Sequence, residues 1–281
     1  MLIFGTIGIF VEKIPLGSAM IACIRASVGA LFLGIILIGG KHKMHWSQIR
    51  TCLPFLLLSG VALGFNWIFL FEAYRYTTVS VATLCYYMAP VFVILLSPIV
   101  LKAKLTKASV ICTCFAVFGA VLISGAVFST KQNYQGILWG LAAAFLYCSI
   151  ILLNQFIKGL PAIETTFLQL FISAIVLIPY TAMRHEFTVT KMSPKVVILL
   201  LIVGIIHTGI SYLLYFSSIS LVPAQTAAVF SYIDPMTAIV LSAWILHQPM
   251  TGIQVVGTVC ILGSTLAHEL WQSKVKVGKL D

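Results

Sequence analysis

Nine stretches of mostly apolar residues follow one another along the chain, near 17–39, 53–74, 78–101, 105–128, 136–158, 163–184, 195–218, 222–246 and 252–270. Each is long enough to cross a bilayer, because about 20 residues at a helical rise of about 1.5 Å span a hydrocarbon core of about 30 Å. Of the 281 residues 60% are hydrophobic and 9% charged, where a soluble domain carries about 25% charged residues. Too few polar side chains exist to cover the outside of a globule in water. A water-soluble enzyme, a secreted disulfide scaffold and a disordered polymer are excluded, and the chain is an integral membrane protein.

Ahead of the nine stretches lies MLIFGTIGIFV, eleven apolar residues ending at Glu12 and Lys13. It lacks the basic n-region and small-residue cleavage site of a signal peptide. It reads as the second half of a tenth span whose start is missing from this chain or wrongly assigned. The expected fold is therefore all-α and transmembrane, with ten helices.

Seventeen basic against seven acidic residues give a net charge of +10. In a soluble protein that would suggest nucleic acid, but here the basic residues cluster in short gaps between apolar runs, as residues facing the cytoplasm and its anionic leaflet do. No nucleic-acid partner is expected; the lipid bilayer is. With the N-terminus inside, the inner gaps and tail hold Lys41, Lys43, Arg50, Lys102, Lys104, Lys107, Lys158, Lys274, Lys276 and Lys279. The outer gaps hold Lys13, Arg75, Lys131, Arg184, Lys191 and Lys195. Ten against six places both termini in the cytoplasm of a plasma-membrane protein. The seven cysteines form no C-x-x-C pair and read as small apolar filler.

The two halves match at an offset of 145 residues. Between 82–110 and 227–255, nine of 29 positions are identical, among them Tyr87/Tyr232, Pro90/Pro235, Ser97/Ser242 and Thr106/Thr251. Five spans per half make two repeats, 1–130 and 131–281. An odd number of spans forces the second copy to enter the membrane from the opposite side. Inverted repeats of this kind build many secondary transporters, with the substrate held near the midplane where the halves meet.

GFNWIFLFEAYRYTTVSVATLCYYMAPVFVILLSPIVLKAKLT and its counterpart GIIHTGISYLLYFSSISLVPAQTAAVFSYIDPMTAIVLSAWILHQPMT resemble the drug/metabolite transporter superfamily, specifically its ten-helix EamA-type members. The resemblance covers essentially the whole chain. It implies a carrier of small molecules, most often an exporter of amino acids or related metabolites. One departure is visible: repeats of the family commonly end their fourth helix with a glutamate three residues before the threonine of Leu-Thr, and here Ala103 and Gln248 stand there.

Ionisable side chains in hydrocarbon cost roughly 2.5–3.5 kcal/mol at mid-helix and so need a partner or a wet cavity. Arg25 lies about 12 Å into its span at helical rise and should face a polar interior, either in a structural pair or binding a substrate carboxylate. Glu72 and Arg75 share a helix face at i,i+3. They read as an ion pair at the headgroups, or as a Glu72 turned inward to neutralise Arg25. Asp234 sits mid-span where its repeat mate is Ala89, so the architecture itself does not require an acid. It precedes Pro235, which frees the carbonyl of Ser231 as Pro90 frees that of Tyr86. Paired interruptions point to a transport site and to hinges at Pro90 and Pro235; the plainer reading is a buried acid held by Arg25 or His207 beside a static kink. His207 suits proton transfer near neutral pH or a neutral hydrogen bond in a helix core, and no second histidine lies at metal spacing on its helix.

Asn66 and the mid-span aromatics Trp67, Tyr86, Tyr87, Tyr212, Tyr215 and Tyr232 lie away from the interfacial belts. Individually they could be packing filler; together they suggest a lined pocket. Thr208, Tyr212 and Tyr215 fall on one helical stripe. Gly60-x-x-x-Gly64 and Gly136-x-x-x-Gly140 mark close helix contacts, between halves or between protomers of a homodimer.

The expected function is secondary transport of small polar or amphipathic metabolites by alternating access. The expected substrate-binding residues are Arg25, Asn66, Trp67, Glu72, Tyr87, His207, Tyr212, Tyr232 and Asp234. No cofactor or metal is expected, and without G-x-x-x-x-G-K-[ST] the energy must come from gradients. A membrane enzyme lacks G-x-S-x-G and H-E-x-x-H, and a channel would show charge rings or a filter motif.

Overall fold

The computed structural model describes residues 1–102, 106–129, 134–187, 192–219, 230, 232–248 and 250–277. Among them every regular element is helical. In chain order the spans are α1 (Leu2–Glu12), α2 (Ser18–Gly39), α3 (Trp46–Tyr76), α4 (Val79–Leu101) and α5 (Lys107–Ser129). They continue as α6 (Tyr134–Asn154), α7 (Ala162–Met183), α8 (Pro194–Leu201, Ile202–Ile210 and Ser211–Ile219 end to end), α9 (Ile233–Ile245) and α10 (Gly252–Val277). The start expected for span nine at 222, the carbonyl of Ser231, and Ala103, Lys104, Lys131, Lys191 and Lys279 lie outside the described residues. The outer surface is apolar, as lipid contact demands: Ile99 and Trp244 are each 77% exposed.

Local chemistry sets the helix ends. Thr106 and Thr251, matched in the repeat, precede α5 and α10 and cap them in the same way. Thr106 Oγ1 accepts from Ser109 N at 3.1 Å, and Thr251 Oγ1 from Gln254 N at 3.3 Å. Gln254 Oε1 accepts in return from Thr251 N at 2.9 Å, completing a capping box. The matched Leu/Met-Thr of the sequence is thus a helix-start signal. At the other ends, Lys102 closes α4 with φ 54° and His247 follows α9 with φ 53°. These are repeat mates, and both adopt the left-handed conformation that stops a helix.

Helix packing carries the same symmetry. Exchanging α1–α5 with α6–α10 turns the α3·α7 contact into α2·α8 and the α4·α6 contact into α1·α9, and all four pairs are present. The α2·α7 and α5·α10 pairs map onto themselves, as pairs astride a two-fold axis must, and both are extensive. The small-residue motifs are used inside the chain. A Cβ at Gly60 would lie 2.8 Å from Ile172 on α7, and one at Gly140 would lie 2.8 Å from Cys85 on α4. Of the two readings open in the sequence, contact between halves is what these glycines make.

Connections on alternate sides meet one another. At one end Cys52 Sγ reaches Lys158 O at 3.7 Å and Ser109 Oγ lies 2.8 Å from His268 Nε2. At the opposite end Gln248 Nε2 donates to Glu12 Oε1 at 2.9 Å, and Val79 N donates to Gln248 Oε1 at 3.1 Å. Gln248, standing where the family pattern has an acid, therefore covers the first free N–H of α4 and ties α9 to the end of α1.

Two helices depart from regular geometry. α4 stops at Tyr86 and restarts at Ala89, with Tyr87 and Met88 in a turn and Pro90 in the first turn of the second piece. Pro90 lacks an N–H and cannot bond to Tyr86 O. In α8 the stretch Ile202–Ile210 is a π-helix. There the side chains of Thr208 and Ser211 bond to carbonyls five residues back, Val203 O at 3.1 Å and Ile206 O at 2.9 Å. The even α-helical stripe expected for Thr208, Tyr212 and Tyr215 is interrupted by this wider turn.

Candidate functional site

A cavity of about 630 Å³ lies between the halves, walled by α1, α2, α3, α4, α6, α7, α8 and α9. Its size is within the range of small-molecule pockets, about 300–1,000 Å³. Of the residues expected at the site, Arg25, Trp67, Tyr87, Tyr212 and Asp234 line it, together with the expected hinge Pro90.

Arg25 is 5% exposed. Its guanidinium carbon lies 3.8 Å from the centre of the Trp67 ring, a cation–π stack, and Nε donates to Thr208 Oγ1 at 2.8 Å. The π-helix presents Thr208 at this point, and Gly204 and Gly29 let α8 and α2 touch: a Cβ at Gly204 would sit 2.6 Å from Val28 Cβ. Among the described residues no carboxylate lies within ion-pair distance of Arg25. A cation this deep is held by a ring face and a hydroxyl rather than by an acid. Its planar fork suits a carboxylate brought by a solute.

Asp234 stands in the first turn of α9, where the helix dipole favours a negative charge. Tyr87, in the α4 turn, donates its hydroxyl to Asp234 Oδ2 at 2.9 Å. The break in α4 thus presents the tyrosine to the acid across the interface between halves.

The remaining expected residues stand behind or away from the wall. Asn66 is fully buried; its Nδ2 donates to Ala143 O at 2.6 Å, and its Oδ1 accepts from Tyr86 OH at 3.4 Å. Asn66 positions a cavity residue rather than lining the hollow. Glu72 accepts from Arg75 Nη1 at 3.3 Å, so the ion-pair reading holds for that pair and the inward-turned one does not. His207, 1% exposed, lies 2.8 Å from Thr6 Oγ1 through Nε2 and 3.3 Å from Ile202 O through Nδ1, linking α8 to α1. Tyr232 is buried in an apolar cluster with Val81, Leu84 and Ile137, and Pro235 is buried off the wall. The acid is bonded to Tyr87, not to Arg25 or His207 as the plainer sequence reading had it.

Tyr86 and Tyr215, two of the mid-span aromatics outside the expected binding set, also line the wall, and Tyr74, Tyr147, Asn154 and Gln169 line it without having been singled out in the sequence. Tyr86 stacks on Tyr147 with ring centres 5.2 Å apart. Gln169 Nε2 donates to Asn154 Oδ1 at 2.7 Å and Ser59 Oγ at 2.8 Å, forming a polar corner. The signal for that corner is the presence of uncharged amides within apolar spans, which hydrocarbon disfavours as it does charge.

A polytopic helical bundle with a solute-sized hollow between its halves is the build of a membrane transporter. The chain belongs to the EamA-like transporter family, whose model matches residues 1–125 and again 134–267. It is 37% identical over 246 residues to "Uncharacterized transporter YxxF" of Bacillus subtilis, covering 86% of this chain and 78% of that protein. It is 23% identical over 268 residues to "Protein PecM" of Dickeya dadantii, covering 92% and 87%. A solved crystal structure superposes with a TM-score of 0.64 at 15% identity, over 98% of this chain and 95% of that one, which shows a shared fold.

Proposed function

We propose that the protein is a gradient-driven carrier of small zwitterionic or amphipathic metabolites, amino acids or close relatives, exporting them across the plasma membrane with both termini in the cytoplasm. One observation carries the substrate class. A guanidinium with no acid partner among the described residues and a carboxylate bonded to one tyrosine border the same aromatic hollow. The Arg25 side takes the solute carboxylate, the Asp234 side its ammonium group, and the rings of Trp67, Tyr86 and Tyr212 its apolar body. Binding contributed mostly by the pocket walls leaves room for several side chains.

The halves, 1–130 and 131–281, act as two repeats that rock about their interface, with α4 and α9 bending at Pro90 and Pro235. Support comes from the mated helix contacts and from the break in α4. Proton coupling, if gradients drive the carrier, falls to Asp234, which borders the cavity, while Glu72 is paired with Arg75 and His207 is bonded to Thr6.

The test is counterflow in proteoliposomes: labelled amino acid exchanged against a panel of unlabelled amino acids, amines and carboxylates. Saturable exchange requiring both a carboxylate and an amine is expected. Equal competition by compounds lacking the carboxylate would overturn the assignment of Arg25.

A further inference from the structure

Away from the cavity, three metal-ligating side chains from two separated segments converge. His42 and His45 lie in the connection between α2 and α3, and Glu164 lies in the first turn of α7. His42 Nε2 and His45 Nδ1 each approach Glu164 Oε1 to 2.6 Å, and the three donor atoms lie within 4.8 Å of one another. We propose that His42, His45 and Glu164 form a binding site for a divalent transition-metal ion, Zn²⁺ by its donor chemistry, which staples the α2–α3 connection to the start of α7.

Both segments are fixed by local structure. Lys41 takes a left-handed conformation with φ 50° after α2, and His42 N bonds back to Leu37 O at 3.0 Å. His45 is the residue before α3, and its own N donates to Glu164 Oε2 at 3.2 Å, which fixes the second carboxylate oxygen. The Glu164 side chain is completely buried, whereas the His42 and His45 side chains are 33% and 42% exposed. A buried carboxylate that gathers two solvent-reachable imidazoles is a pre-formed ligand set with an entry path.

The chemistry follows from the donors. A carboxylate only accepts hydrogen bonds, so both imidazole nitrogens facing it carry protons in the metal-free site. A metal ion displaces them: a neutral ring then carries its one proton on the nitrogen facing away from the ion, an imidazolium releases one proton to solvent, and two neutral imidazoles and the oxygen coordinate. Bonds of about 2.0–2.2 Å in a tetrahedral set put donors roughly 3.3 Å apart. The two 2.6 Å contacts must open to that distance and the two histidine nitrogens, within 4.8 Å of each other, must settle at it, which rotation of the two partly exposed histidines can supply. Two imidazoles and one carboxylate, with a fourth position for water, match the softness Zn²⁺ prefers over Mg²⁺ or Ca²⁺. Glu164 is 122 and 119 residues from His42 and His45 along the chain, so spacing along one helix could not reveal the set.

The site is independent of what the cavity carries, so its test needs no substrate. Chelator-treated, tag-free protein in detergent is titrated with ZnCl₂ by calorimetry, and its melting temperature is followed with and without Zn²⁺. One equivalent bound, with a rise in melting temperature, is expected. The His42→Ala/His45→Ala variant should melt at a lower temperature even without metal, because the buried Glu164 carboxylate keeps only its bond from His45 N, and it should neither bind Zn²⁺ nor gain melting temperature from it. Glu164→Gln should weaken binding at least tenfold. Binding of Zn²⁺ by the double-histidine variant equal to the parent, or no binding by the parent, would overturn the proposal.

Discussion

Helices α4 and α9 are the same segment built twice, and they do different things. Both carry Tyr-x-x-Pro, with Tyr87/Pro90 in one and Tyr232/Pro235 in the other, and both end in a left-handed residue. Yet Tyr87 faces the cavity while Tyr232 is buried in an apolar cluster, and the small Ala89 of α4 corresponds to the acid Asp234 of α9. The shared features make the frame: caps, stops and a proline that interrupts hydrogen bonding. The unshared ones make the site.

Experiments can break that comparison. The largest effect is expected from Asp234→Ala, which makes α9 resemble α4 at this position; transport should fall to background while the protein still folds, because one buried charge is removed rather than stranded. If instead Asp234→Ala transports normally, the asymmetry is structural. Next is Arg25→Lys. An ammonium keeps the charge but loses the planar fork and much of the stack on Trp67, so the concentration for half-maximal exchange should rise by about tenfold or more. Tyr87→Phe removes a hydrogen bond to a charged group, about 1.5–3 kcal/mol, and should reduce exchange about tenfold, whereas Tyr232→Phe should change it less than twofold. Pro90→Ala and Pro235→Ala give the finest comparison. If bending is used, each should slow exchange several-fold with little change in half-saturation, and flux equal to the parent in both would remove the hinge assignment.

The sequence carried the frame well because its signals are local. Twenty-residue apolar runs, a threonine before α5 and α10, and a proline inside α4 each act within a few residues. What it hid depends on distance or on a subtle period. Nine residues of π-helix in α8 have the same apolar composition as α-helix, so the shift that brings Thr208 to Arg25 leaves no mark in the pattern. Tyr74, Asn154 and Gln169 carry no charge to single them out in an apolar span, and only packing places them on the cavity wall. His207 was open between proton transfer and a hydrogen bond in a helix core, and it is a fastener between α8 and α1. The placement of Glu72 was open between two partners of equal chemistry, and proximity along one helix decided it.

The pairing of α5 with α10 has a mechanical consequence. A Cβ added at Gly119 would lie 2.6 Å from Gly257 O, and one at Gly257 would lie 2.7 Å from Gly119 O. Two main chains pressed together with no side chain between them behave as an axle. They can roll on one another, but a slide along the membrane normal would drive Ile123 or Cys260 into the opposite backbone. The rocking of halves proposed above would turn about this spindle, and the helices farthest from it would swing most.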